Sequence, residues 1–192
     1  MILARRRREA QTREQATALA RQLAVALSSG TAVGPTPYSV GLVLDPDEQV
    51  WAQVPARCSA DTPAKPGDEK GPRRETDWLI TNQRIAGRFY QETLRWYTWA
   101  GCVGCQVDLT PGRELVSLDF PGLPGPVQWR GPGVAPLAVA AVVKLHGPHA
   151  ALDHPGLAVL RQAARAANLA GREELQAGAA GELPPGPDAI RF

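Results

Sequence analysis

Two short apolar runs hinged on one polar pair constrain this chain more than anything else in it: Trp78-Leu-Ile-Thr-Asn-Gln-Arg-Ile-Ala-Gly-Arg88. Asparagine tolerates φ > 0, so Asn82-Gln83 between apolar runs reads as the turn of a tight β-hairpin. The strands of that hairpin cover Trp78 to Thr81 and Arg84 to Phe89. Strand-like text surrounds it from Val40 to Phe120. Val50 to Val54 alternates apolar and polar residues, as a half-buried strand does. Leu94 to Trp99, Gly104 to Leu109, Glu114 to Phe120 and Val127 to Trp129 read as further strands. Thr110-Pro-Gly-Arg113 is a turn in which proline fixes φ and glycine frees the next residue. Asp61 to Arg74 is polar and charged with both signs, which predicts a long mobile loop.

The period changes at both ends. Ala16, Leu19, Leu23, Ala26 and Leu27 recur at helical spacing, predicting one helix from Arg5 to Leu27 with Ser28-Ser29-Gly30 as its stop. Pro136 to His146 is apolar nearly all round, opens on proline and ends before Gly147, so it predicts a helix buried against the strands. A second helix is expected from Pro155 to about Leu169, and the Gly/Pro-rich tail from Gly178 reads as disordered. The expected organisation is a basic N-terminal helix (1–30), a Gly/Pro linker (31–39), a β-rich domain (40–147), a C-terminal helix (148–171) and a tail (172–192).

Composition narrows the class of function. Hydrophobic residues at 44% and charged residues at 21% suit a soluble globular protein. The net charge is only +2, so no global electrostatic case exists for nucleic acid. Basic excess is local: six arginines and two glutamates fall within residues 1–30. No apolar run approaches the ~20 residues needed to cross a bilayer. Arg21 and Gln22 interrupt the apolar part of the first helix, which makes it a poor signal sequence. Three cysteines are too few for a disulfide framework, and a cytoplasmic location is the expectation.

About seven short strands followed by one buried helix, with Leu79-Ile-Thr-Asn-Gln-Arg-Ile85 as a hairpin between early strands, resembles the PH-like superfold. Bacterial PH and GRAM-type domains are the nearest likeness, over roughly Val40 to His146. The resemblance implies an α+β fold, a bent antiparallel β-barrel or sandwich of about seven strands closed by a C-terminal helix. The helices at the two ends of the chain lie outside that pattern. It also implies binding without catalysis. Family members that hold phosphoinositides use basic residues around the loop joining the first two strands. Here that region offers Lys65, Lys70, Arg73 and Arg74, but Asp61, Asp68, Glu69 and Glu75 cancel them. Arg84 and Arg88 remain as isolated candidate ligand-binding residues on one sheet face.

Other constellations carry less. Cys102-Val-Gly-Cys105 has the spacing of half a zinc site or of a thiol–disulfide couple. Strands and glycines flank it, and only Cys58, His146, His149 and His154 could complete a ligand set, so neither a metal nor a cofactor is expected. The run Arg5, Arg6, Arg7 and Arg8 could meet phosphate on an acidic membrane surface. Most of the five tryptophans read as core, with Trp96 and Trp99 on opposite sides of their strand. Asp108, Glu114 and Asp119 read as outward residues with no histidine beside them, and no serine has a nucleophile-elbow context. The sequence thus points to a non-catalytic protein-binding module, a scaffold or adaptor. Its expected surfaces are an open sheet edge and the groove beside Pro136 to His146, with Lys144 on the rim. The alternatives are peripheral attachment to acidic membranes through the first helix, and a metal or thiol role for Cys102 and Cys105.

Overall fold

The hairpin forms where its residues require it. In the computed structural model, which describes residues 2–31, 33, 38, 41–60, 75–89 and 93–163, β2 (Thr76–Thr81) turns into β3 (Arg84–Phe89). Ile80 faces Ile85, Leu79 faces Ala86 and Trp78 faces Gly87. Glycine is required at position 87, because a Cβ there would come to 2.7 Å from the Trp78 ring. Asn82 does more than turn the chain. Its side chain accepts from the Gln49 amide at 2.8 Å and donates to the Asp47 carbonyl at 2.9 Å, clamping the preceding turn.

The remaining strands are β1 (Val50–Ala60), β4 (Thr93–Thr98), β5 (Gly104–Asp108), β6 (Leu115–Asp119) and β7 (Val127–Arg130). They form one seven-stranded antiparallel sheet in the order β4-β3-β2-β1-β7-β6-β5. β1 belongs to both halves: residues up to Ala56 pair with β2, and those from Arg57 pair with β7. This strand runs well past the expected Val54. Pro55 is tolerated because β7 joins only at Arg57, so no ladder donor is lost there. The Pro55 carbonyl faces the loop before the next helix, where a Cβ on Gly133 would sit 2.5 Å from it.

Two helices cover the sheet. α2 (Ala135–His146) is buried along its first eight residues, and a Gly147 at φ 87° ends it, its amide donating to Val143. α1 (Ile2–Ser29) packs on α2 through Ala16, Ala20, Leu23 and Ala24, which share one core with Trp51, Val54, Trp78 and Trp129. The N-terminal helix therefore docks on its own domain, and the alanines let the helix axes approach closely. At the centre, the Trp78 and Trp129 rings meet edge-to-face with centroids 5.5 Å apart, and Tyr97 touches both.

Two readings shift. The second C-terminal helix does not start cleanly at Pro155. Instead α3 (Ala150–Asp153) ends before His154, Pro155–Leu157 makes a 3-10 turn, and helix resumes over 158–163. Proline drives His154 out of the helical region to ψ 128°, and the His154 ring accepts from the Gly156 amide. Glu114 faces inward at 8% exposure because Arg13 of α1 neutralises it. Trp96 is 54% exposed on β4, whereas Trp99 lies past the end of that strand, buried in a 3-10 turn (Trp99–Gly101). The expected loop at 61–74, most of the linker 31–39 and everything beyond 163, including the tail, lie outside the described residues. Among the described residues no helix is long and apolar enough to cross a membrane.

Candidate functional site

The two basic features of the sequence meet different fates. Arg84 is consumed by the fold. Its Nε lies 2.8 Å from Glu48 Oε1, its Nη2 lies 2.6 Å from Glu48 Oε2, and Nη2 also donates to the Val43 carbonyl. The Glu48 side chain is fully buried. Burial pushes its carboxyl up, but hydrogen bonds from Arg84, Thr81 and the Asp45 amide outweigh this and hold it below the ordinary value. This bidentate pair fastens the 41–49 segment to the hairpin. Arg88 stays exposed on the same face, with its guanidinium beside Gly41. Lys144 stands apart from both, its amine 4.9 Å from the centre of the Trp51 ring. Burial lowers the Lys144 pKa. These three residues do not converge on one ligand.

Cys102 and Cys105 also stay apart from a metal geometry. All three cysteines are free thiols, and no group of three or more metal-ligating side chains is assembled among the described residues. Burial raises the pKa of both Cys102 and Cys105 and pushes Cys58 up to about 12. Thiolates are therefore disfavoured at neutral pH. Cys105 Sγ does lie 3.8 Å from His146 Nε2, and the His146 ring stacks on His154. His146 was a candidate by residue type alone; only the fold brings it to Cys105.

The arginine run behaves otherwise. Arg5 and Arg8 of α1 line a cavity of about 860 Å³ together with Arg57 of β1 and Arg130 of β7. An adjoining cavity of about 340 Å³ shares Arg5, Arg57 and Arg130 and extends to Arg13 and Arg113. Together they make one trough between the helix and the sheet. Gly131 and Pro132 lie along both parts of it. Arg6 and Arg7 are exposed and do not line it.

The electrostatics of this trough are unusual at one point. The register of β1 on β7 sets Arg57 directly opposite Arg130. Like charges facing each other across an antiparallel pair are destabilising. Three other arginines of the trough are paired: Arg5 with Glu9, Arg13 with Glu114, Arg113 with Asp108 at 3.7 Å. Neither Arg57 nor Arg130 has a carboxylate within ion-pair distance among the described residues, although Arg130 donates to Gln128 at 2.9 Å. Six guanidiniums and three carboxylates, Glu9, Glu75 and Glu114, line the trough in all. The arrangement can hold an anion in a concave, half-open site.

No protein-family model matches this chain, and no curated protein matches it. The trough must therefore be read from its own chemistry. Sequence reasoning found Arg5 and Arg8 but missed Arg57, Arg130, Arg13 and Arg113. The one signal available was alternation: Val127-Gln-Trp-Arg130 buries its valine and tryptophan, so Gln128 and Arg130 face the other way.

Proposed function

We propose that this chain is a cytoplasmic, non-catalytic binding module of the PH/GRAM-like type that engages an anionic partner through the trough between α1, β1 and β7. The observation that carries this reading is the opposed pair Arg57 and Arg130, left without carboxylate partners among the described residues and lining a cavity that Arg5 and Arg8 also line. A fold tolerates such repulsion most readily where a ligand relieves it. Strand order supports the PH-like part, since one long strand serves both halves of the sheet and a buried helix follows the seventh strand. Three free thiols favour a reducing compartment.

Heparin chromatography tests the anion reading. The Arg57→Gln/Arg130→Gln variant should elute at clearly lower salt than the wild type, while Arg6→Gln/Arg7→Gln should shift it less. Equal shifts for both variants would mean that diffuse charge, and not the trough, carries the binding.

A second reading, peripheral attachment to acidic membranes, draws on a separate observation. Arg6 and Arg7 are exposed outside the trough, and Leu3 beside them is 81% exposed. The apolar face of α1 is already spent on α2, so such attachment would rest on charge and on Leu3 alone. Vesicles containing phosphatidylserine should then lose the Arg6→Gln/Arg7→Gln variant and retain Arg57→Gln/Arg130→Gln.

A further inference from the structure

Resting on the anion reading of the trough, we infer that its ligand is an extended acidic peptide segment of a partner protein. Shape is the first argument. The two adjoining cavities, about 860 and about 340 Å³, share Arg5, Arg57 and Arg130, and add Arg8 in the first and Arg113 in the second. A single phosphate or headgroup would occupy only part of that space; a chain laid through both cavities meets the arginines of each.

Charge pattern is the second. Glu9, Glu75 and Glu114 line the trough beside the arginines. A ligand carrying phosphate at every step would confront those carboxylates as well as the guanidiniums. A peptide with carboxylates separated by neutral residues answers both signs. Its carboxylates meet Arg57 and Arg130, and its amide N–H groups offer donors to the acids.

The lining itself supplies the third. Among the described residues it contains no aromatic ring, so it offers no platform for stacking bases, which single-stranded nucleic acids require of a sequence-tolerant site. Ala4 and Pro132 instead give apolar lining suited to aliphatic stretches of a peptide. Gly112 and Gly131 leave open space at the positions a Cβ would take, so a backbone can lie close against the trough there. A concave furrow between helix and sheet is also poorly placed to meet a flat bilayer.

Fluorescence anisotropy tests this with the full chain. The probes are a labelled peptide of about ten residues with glutamate at alternate positions, the same peptide with glutamine throughout, a labelled oligothymidylate and phosphatidylserine vesicles. At low salt the glutamate peptide should bind at least about tenfold more tightly than the glutamine peptide. That affinity should fall by about tenfold in Arg57→Gln/Arg130→Gln and stay within about twofold in Arg6→Gln/Arg7→Gln. Thermal melts confirm that each variant is folded. Stronger binding of the oligothymidylate or the vesicles, lost in the Arg57/Arg130 variant, would overturn the peptide while keeping the trough. Peptide binding that survives the Arg57/Arg130 variant would overturn the trough as the peptide's site. Failure of every polyanion, heparin included, would overturn the anion reading itself.

Discussion

Neutralising Arg57 should stabilise the folded protein while weakening its binding. Side chains directly opposed across an antiparallel pair have Cβ atoms about 4.5–5.5 Å apart, and a like-charge pair there is unfavourable by about 0.2–1 kcal/mol. The register puts Arg57 and Arg130 in that relation. Arg57→Gln removes the repulsion, and for a chain of this size the gain corresponds to a rise in Tm of about 0.5–4 °C. Arg57→Glu turns repulsion into attraction and should roughly double that gain. The double variant Arg57→Gln/Arg130→Gln should be no more stable than either single one, since the first neutralisation already relieves the pair. Thermal melts at low salt and at about 1 M salt provide the assay. A Debye length of about 3 Å at 1 M screens the pair, so the gain should shrink there. A fall in Tm for Arg57→Gln, or a gain indifferent to salt, would show that the two arginines serve packing rather than a ligand.

Three further predictions concern the scaffold. Glu48→Ala leaves Arg84, 17% exposed, without its counter-charge and should cost about 3 kcal/mol in chemical denaturation. Because the folded Glu48 pKa is lowered, the stability it contributes is complete above the ordinary value of 4.5 and is lost as pH falls through the lower folded value. Wild-type stability should therefore drop more steeply than that of Glu48→Ala across that acid window. Leu23→Ala should destabilise the whole domain by about 2–5 kcal/mol, seen as one cooperative transition at lower denaturant, since Leu23 is 2% exposed in the shared core. Two transitions would mean that α1 folds apart from the sheet. The three thiols should react with a disulfide reagent at pH 8 far more slowly in native than in denatured protein, because burial raises the pKa of each. Fast native labelling at Cys105 would show that His146 activates it.

Much of the scaffold was legible because it depends on local pattern. Alternation located most strands to within a residue or two, and an all-apolar stretch opened by Pro136 and closed by Gly147 could only be a buried helix. The alternation that marked β1 was read only to Val54, yet the strand continues through Pro55 to Ala60. Tolerance of Pro55 depends on where β7 joins, which is a fact about pairing and not about the neighbouring residues. Glu114 was misjudged for the same kind of reason. Alternation placed it outward, but the partner that allows its burial, Arg13, is on a helix about a hundred residues earlier.

The trough shows where such reading stops. Arg5 and Arg8 drew notice as part of a run, whereas Arg57 and Arg130 are single arginines in unrelated strands. What makes them a pair is the register of β1 on β7, and register is set by the inward faces, where Cys58 opposes Trp129. Apolar packing thus fixes which charges meet on the outer face, and the charges have no say in it. A chain free of functional demand could separate them at little loss by changing either exposed arginine, because neither contributes to the core. Their presence opposite one another, lining a cavity shared with two more arginines of α1, is therefore a property that the folding of the core alone does not require.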